Sequence, residues 1–236
     1  MNNETFLRQI KNQKKHWWFQ GRKNIIDKII FRINFKKKIN ILDFGSGSGV
    51  NIEILTKYGK VDLQEKNKIA RLNLKRIKNI NKIYSSLKIK KNYYNLVLVA
   101  DVLEHVKNPK VLLRILKETI KKNGYILITV PAYQFLFSTK DNILKHHRRY
   151  NKKTLKKTID EFTLVEMSYF NALLFIPITA IILFNKIFNI NYIKKVETTP
   201  NFIINKILFY IFSIEQIILK YLNFPFGLSI YALIKK

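Results

Sequence analysis

Ile41-Leu42-Asp43-Phe44-Gly45-Ser46-Gly47-Ser48-Gly49 is the stretch that decides the fold. An apolar run stops on an acid and then meets glycine at every second position. The run reads as a short buried strand. The loop after it carries so little side chain that a ligand can lie against bare backbone. A helix expected over 50–57 would turn its N–H groups toward the same place. Without a ligand the pattern is a glycine-rich strand-to-helix turn, and the loop alone leaves both readings open.

Glycine spacing narrows the choice. A dinucleotide loop, G-x-G-x-x-G/A, puts its last small residue where the helix packs on the strand. Here Gly45, Gly47 and Gly49 give G-x-G-x-G, and Val50 stands where that third small residue belongs. A second segment lies at a suitable distance. Lys60-Val61-Asp62-Leu63-Gln64 alternates with a strand's period and ends on Glu65, with Lys66 and Asn67 opening a helical stretch. An acid about 20 residues past a glycine loop is where a ribose diol finds its acceptor. A carboxylate takes both of the diol's hydrogen bonds; the plainer alternative is a solvent-facing acid at a helix start. Third, the unbroken apolar run Tyr94 to Ala100 reads as a strand buried on both faces of a parallel sheet. Asp101 ends it, and Leu103-Glu104-His105-Val106 turns into the next helix.

Working outward, strands are expected near 40–44, 60–64, 82–85, 95–101, 124–130, 163–169 and 228–234, with helical patterns over about 50–57, 66–78, 109–121 and 152–161. The alternation specifies an α/β fold: a doubly wound, mostly parallel seven-stranded sheet with right-handed crossovers. The glycine loop, Glu65 and Asp101 then share the carboxyl edge beside the switch point, where such sheets bind ligands.

These segments resemble the class I, Rossmann-like S-adenosylmethionine (SAM)-dependent methyltransferases. Asp43, two residues before the first glycine, is similar to the acid of their motif I. Asp101-Val102-Leu103-Glu104-His105-Val106 resembles the small-molecule branch, which includes quinone- and lipid-modifying enzymes. The Asn/Asp-Pro-Pro-Tyr/Phe of nucleic-acid amino-methyltransferases is absent, and with no Cys there is no nucleophile for C5-cytosine chemistry. His16-Trp17-Trp18-Phe19-Gln20-Gly21-Arg22 is similar to the H-x-W-F-x-G-R opening of one bacterial group. Pro131 to Ser138, Asp141 and His146-His147-Arg148-Arg149-Tyr150 (H-x-R-R-Y) resemble its block after strand five, and Pro225 to Ser229 its closing strand. The resemblance runs from about residue 14 to the C-terminus. It departs at the adenine pocket, where an acid is replaced by Ser85, Ser86 and Leu87.

The resemblance implies an antiparallel last strand and SAM as cofactor. Asp43, Gly45, Ser46, Gly47 and Gly49 would hold the methionine part, Glu65 with Lys66 beside it the ribose, and Ser86 and Leu87 the adenine. Asp101 would close the methionine side, toward the ammonium group. For removing a proton from the acceptor, His105 is the first candidate catalytic base and His146 and His147 are the second candidates, since imidazole titrates near neutrality. Arg148 and Arg149 could clamp a phosphate or carboxylate, with Tyr150, Trp18 and Arg22 completing the acceptor set. The plainer alternatives are a capping role for His105, a solvated basic turn for Arg148 and Arg149, and an aromatic staple of the first helix for Trp17 to Phe19. No metal ligand set is expected.

Domain organisation follows: a helical cap over 1–36, the SAM-binding core over 37–170, an apolar helical insertion over 171–222 and a closing strand over 223–236. At 236 residues the chain can bury an ample core. The absence of Cys excludes a disulfide framework and suits a reducing compartment. The first 20 residues hold no apolar stretch of the signal-peptide kind. Lys and Arg number 44 against 15 acids, a net charge of +29, which attracts polyanions such as an anionic lipid surface. Lysines spread over every segment are also what a Lys-, Asn- and Ile-rich composition produces by itself. Within the insertion, Ala172 to Phe184 is apolar but short of the ~20 residues a membrane span needs, and Pro177 interrupts it. A Lys/Asn-bearing linker follows, and then Phe202 to Leu222 is apolar again. A lid over the substrate, an interfacial or re-entrant hairpin on anionic lipid, and a membrane insertion all fit.

The expected function is methyl transfer to a small or lipid-linked acceptor at the cytoplasmic face of the inner membrane, with peripheral lipid contact and no nucleic-acid partner. A nicotinamide-dependent oxidoreductase or epimerase, or a non-enzymatic basic RNA- or membrane-binding module on a decayed Rossmann-like core, are the alternatives. The first would call for a Tyr-x-x-x-Lys pair near the loop, and no convincing one is present.

Overall fold

A computed structural model describes residues 12–13, 15–188 and 199–236. Seven strands, β1 (Ile39–Phe44), β2 (Gly59–Gln64), β3 (Ile80–Tyr84), β4 (Tyr94–Ala100), β5 (Ile120–Pro131), β6 (Thr163–Phe170) and β7 (Ser229–Lys235), form one sheet in the order β3-β2-β1-β4-β5-β7-β6. Strands β1 to β5 pair in parallel. β7 runs antiparallel between β5 and β6, as the resemblance implied. All seven expected strands are present within a few residues.

The order reverses between β1 and β4, where Asp43 pairs with Leu98. Gly45 and Asp101 therefore leave neighbouring strands on one edge. Leu96 to Val99 of β4 are fully buried, which is why that segment reads as continuously apolar. Two polar residues of β2 also find a reason. Asp62 accepts hydrogen bonds from the Tyr94 hydroxyl at 2.7 Å and from Asn81 Nδ2 at 2.6 Å. The Gln64 carbonyl accepts the N–H groups of Gly45 at 2.9 Å and Ser46 at 3.0 Å, tying the loop to the end of β2.

One face of the sheet is covered by α1 (Trp17–Ile33), α2 (Ile52–Leu55), α3 (Lys68–Leu74) and α8 (Phe202–Ile218), which bury Ile25, Ile29, Leu55, Leu74 and Phe212. The other is covered by α4 (Pro109–Thr119) and α6 (Lys152–Thr158) through Leu112, Leu116 and Leu155. α5 (Thr139–Ile143) sits above the carboxyl edge, and α7 (Phe175–Ile187) follows β6.

One expectation needs correction. The helix after the glycine loop is only four residues long, because the chain must turn back to begin β2 at Gly59. One turn carries little dipole, so backbone N–H groups of the loop itself must do the holding. The insertion also touches the core. α8 packs on α1: the Phe212 ring lies 5.8 Å from Trp17 and 6.2 Å from Phe170. It fits there because Gly21 offers no Cβ, which would fall 2.1 Å from Phe212 Cδ1. Glu215 of α8, also buried, accepts the Leu173 N–H at 2.8 Å. α7, by contrast, buries none of its residues. The Lys/Asn-bearing linker between them falls at 189–198, and most of the first stretch of the expected cap at 1–11, outside the described residues. Among the described residues no helix is long and apolar enough to cross a membrane.

Candidate active site

A cavity of about 1390 Å³ opens over the carboxyl edge of β1, β2 and β4. It exceeds the ~300–1,000 Å³ of an ordinary small-molecule pocket, so a cofactor and a second ligand fit together. Its walls come from α1, the glycine loop, the turn after β4, the segment around α5, and the inner side of α7.

The glycine loop forms one end. Gly45, Gly47 and Gly49 have φ of +72°, +55° and +80°, a region that L side chains avoid. A Cβ on Gly47 would meet only the Gly45 carbonyl oxygen, 3.9 Å away, so this position faces open space. Gly49 does not. Its Cβ would strike Ile52, Leu74 and Ile77 at 2.6–2.8 Å, and it lies outside the cavity wall. Gly49 is thus corrected from a ligand contact to the glycine that lets α2 and α3 close on the loop. Glu65 does line the cavity. Its carboxylate accepts the Gly47 N–H at 2.8 Å and the Asn67 N–H at 2.8 Å, leaving lone pairs on both oxygens. Ser46, Lys66 and Leu87 also border the space. Ser86 does not: it is exposed, and its hydroxyl accepts the Lys88 N–H at 3.3 Å.

Beneath the loop lies a buried charge cluster. Arg22, 4% exposed, forms an ion pair with Asp101 and lies over the Trp18 ring, 4.8 Å from its centroid. Asp101 itself has φ +54° and accepts the Thr129 hydroxyl at 3.1 Å. Asp43 and Glu104 also face the guanidinium electrostatically, and desolvation still pulls Arg22 down to about 10. Burial pushes Asp43 up to about 7, against the pull of the Arg22 charge, and Glu104 up to about 8. Asp43 stands behind the cavity wall, so its expected contact with the cofactor is corrected to support of Arg22. Arg22 in turn moves from the acceptor set to the loop end, because α1 delivers it beside Asp101. Trp18 lines the cavity with it.

The block after β5 forms another part of the wall. Asp141 is buried and accepts from His146 Nδ1 at 2.8 Å and from Arg149 Nε and Nη2, both at 2.9 Å. Burial alone would raise its carboxyl, but these donors outweigh that and hold it below the usual carboxylate range. Arg149 is therefore engaged in a bidentate internal pair and is no free clamp, although it borders the cavity. Arg148 donates to the Lys107 carbonyl at 2.8 Å outside the wall, and Tyr150 is buried with its hydroxyl 3.3 Å from the Leu103 carbonyl. Both expectations of acceptor contact are corrected: the H-x-R-R-Y block is chiefly a brace. His105 and His147 do reach the cavity. Desolvation in the cleft, then the adjacent His146, pushes His105 down to about 4, so its ring is neutral near pH 7.

Sequence reasoning missed Asn171. It follows β6 with φ +56°, is buried in the cavity wall, and neither amide atom finds a partner among the described residues. Its position just past a strand's carboxyl end was the available signal. Asn51 Oδ1, Glu104 Oε2 and Arg22 Nε are likewise buried without partners among the described residues. Unsatisfied polar atoms gathered on one cavity mark a place where a ligand completes the hydrogen bonding.

The sequence profile of the methyltransferase domain matches residues 17–168. No curated protein sequence matches the chain. Among solved structures, a SAM-dependent methyltransferase from Archaeoglobus fulgidus superposes with a TM-score of 0.56 at 16% identity, over 91% of this chain and 94% of that one. Phosphoethanolamine N-methyltransferase 2 from Haemonchus contortus, in complex with SAM, gives 0.53 at 15% identity, over 91% of this chain and 52% of that one. At such identities the likeness is one of fold.

Proposed function

Because this chain belongs to the methyltransferase domain family, with SAM as its cofactor, we propose that it methylates a small or lipid-linked acceptor at an anionic membrane face. The cavity fits the cofactor. The missing Cβ of Gly47 leaves a cradle, and the acids Glu65, Asp101 and Glu104 suit a cationic ligand. Backbone of Gly45 to Gly47 with Ser46 would hold the methionine part, Arg22 its carboxylate and Asp101 its ammonium. Glu65 would hold the ribose, beside Lys66 and Leu87. When bound, SAM supplies a methyl carbon made electrophilic by its sulfonium. The protein then has to align an acceptor lone pair and exclude water, which Trp18, Phe19 and α7 do by roofing the cavity. His105 and His147, both in the cavity wall, are the groups able to take a proton.

The observation that carries the acceptor class is the continuity of this one cavity with α7. Ile178, Ile181 and Ile182 line the cavity, while Phe184 and Ile187 of the same helix, and Phe188 just after it, are exposed. Phe202, Ile203 and Ile207 of α8 are exposed as well, and Lys206 Nζ lies 5.9 Å from the Phe202 ring centroid. An apolar face beside cations, on a chain of net charge +29, is suited to an anionic bilayer. A lipid tail could enter along α7 without crossing water.

Isothermal titration with SAM and with NAD tests the cofactor; heat with NAD alone would overturn it. Incubation with SAM and an anionic lipid extract, followed by mass analysis, should show one lipid class gaining a CH2. A gain confined to water-soluble acceptors would remove the lipid assignment and keep the methyltransferase.

A further inference from the structure

We propose that Glu104, His105 and His146 form a binding site for one divalent transition-metal cation in the wall of the cavity. One ligand atom from each lies within 4.8 Å of the others. They arrive from two segments, the 3-10 turn Leu103–His105 after β4 and the stretch after α5. The His147 N–H, donating to the Glu104 carbonyl at 2.7 Å, clips those segments together.

Each donor is already oriented. The ionised Asp141 accepts the His146 Nδ1 hydrogen at 2.8 Å, which leaves Nε2 as the nitrogen of that ring available to a cation. The backbone carbonyls of Lys145 and Leu144 face the His105 imidazole electrostatically. A carboxylate or carbonyl behind each imidazole is the arrangement that sets metal-ligating histidines. Glu104 is 1% exposed, lines the cavity, and its Oε2 lacks a hydrogen-bond partner among the described residues. A cation would satisfy it. The two nearest guanidinium groups are already matched, Arg149 by Asp141 and Arg22 by Asp101.

Two imidazoles and one carboxylate suit Zn²⁺, Mn²⁺ or Co²⁺ better than Ca²⁺, which prefers an all-oxygen shell. Three protein ligands leave a coordination position open to the cavity. This role rests on the methyltransferase reading: an acceptor hydroxyl bound there would be acidified. Its O–H bond breaks, the proton passing to the solvent-exposed His147. The oxygen lone pair forms the new O–CH3 bond, and the electron pair of the S–CH3 bond stays on sulfur. His105 then serves as a ligand, with the base role left to His147.

The test is titration of the chelator-stripped full chain with Zn²⁺, and with Co²⁺ read by visible absorption. The expected result is saturable binding of one cation per chain with imidazole-ligated Co²⁺ bands. His146→Ala and Glu104→Gln should each weaken binding at least ~10-fold, and Asp141→Asn, which acts through His146, about 10–100-fold. His147→Ala should bind Co²⁺ as the wild type does. Circular dichroism checks folding, and His105→Gln replaces any variant that fails it. Absence of saturable binding, or binding equal in wild type and His146→Ala, overturns the site. SAM titration in parallel separates the two claims: SAM heat without cation binding removes only the metal.

Discussion

Replacing Gly47 and Gly49 should give opposite phenotypes, although the two glycines stand two residues apart in one loop. At Gly47, φ is +55° and the space beyond the absent Cβ is open. Gly47→Asp therefore costs the fold only the left-handed backbone, about 1 kcal/mol, and Asp is among the residues that tolerate it best. For a chain this long that lowers Tm by about 2–4 °C. The new carboxylate, however, enters the cradle next to Glu65, whose Oε2 is already 2.8 Å from the Gly47 nitrogen. Bulk and like charge there should weaken SAM at least ~100-fold, or about 2.7 kcal/mol. At Gly49, φ is +80° and a Cβ would sit 2.6 Å from Ile52 Cδ1 and 2.7 Å from Leu74 Cδ2. Gly49→Ala adds overpacking of about 1–3 kcal/mol to the backbone cost, and Tm should fall by about 5–15 °C. Scanning calorimetry and SAM titration well below Tm read the two effects separately. Wild-type affinity in Gly47→Asp would refute the cradle, whatever the behaviour of Gly49→Ala.

Arg22→Ala leaves Asp101 without its ion-pair partner and should cost about 3–5 kcal/mol by denaturant titration; a cost below about 1 would show the pair to be solvated. Arg149→Ala should destabilise by a few kcal/mol while Arg148→Ala stays within ~0.5, because only Arg149 pairs with a buried acid; intact stability with lost acceptor affinity would restore the clamp. Asp43 binds its proton more tightly folded than unfolded, so its contribution to stability is full below about pH 4 and is lost as pH rises through about 7. Asp43→Asn should flatten the stability–pH curve in that window, by at most about 1.4 kcal/mol per pH unit; an unchanged slope would mean Asp43 stays ionised. Phe184→Glu with Ile187→Glu, at side chains 54% and 74% exposed, should abolish cosedimentation with anionic vesicles without changing Tm; persistent binding would shift attraction to surface lysines. Deleting the whole insertion would be a poor substitute, since α8 buries Phe212 and Glu215.

The sheet was legible because each strand announces itself over four to seven consecutive residues and the parallel pairing follows from alternation with helices. Only the β5 start lay further out: Ile120 pairs with Tyr94, and a register shift carries the pairing to Tyr125 against Leu96. The shortness of α2 was hidden because residues 50–57 do suit a helix, and only the geometry of reaching β2 cuts it off.

By itself, the sequence determined that a side-chain-poor loop, Glu65 and Asp101 would meet on one edge, since strand ends in a parallel sheet share a side. Tertiary structure alone decided which neighbouring side chains line the cavity. Gly49 turned inward, Asp43 sank behind Arg22, and Arg149 was taken by Asp141. Asn171 and the Glu104–His105–His146 group emerged only when distant segments were brought together. The reason is physical: local pattern reports burial and backbone preference residue by residue, whereas the partner of a charge or an amide is set by three-dimensional proximity, which no short window of chain contains.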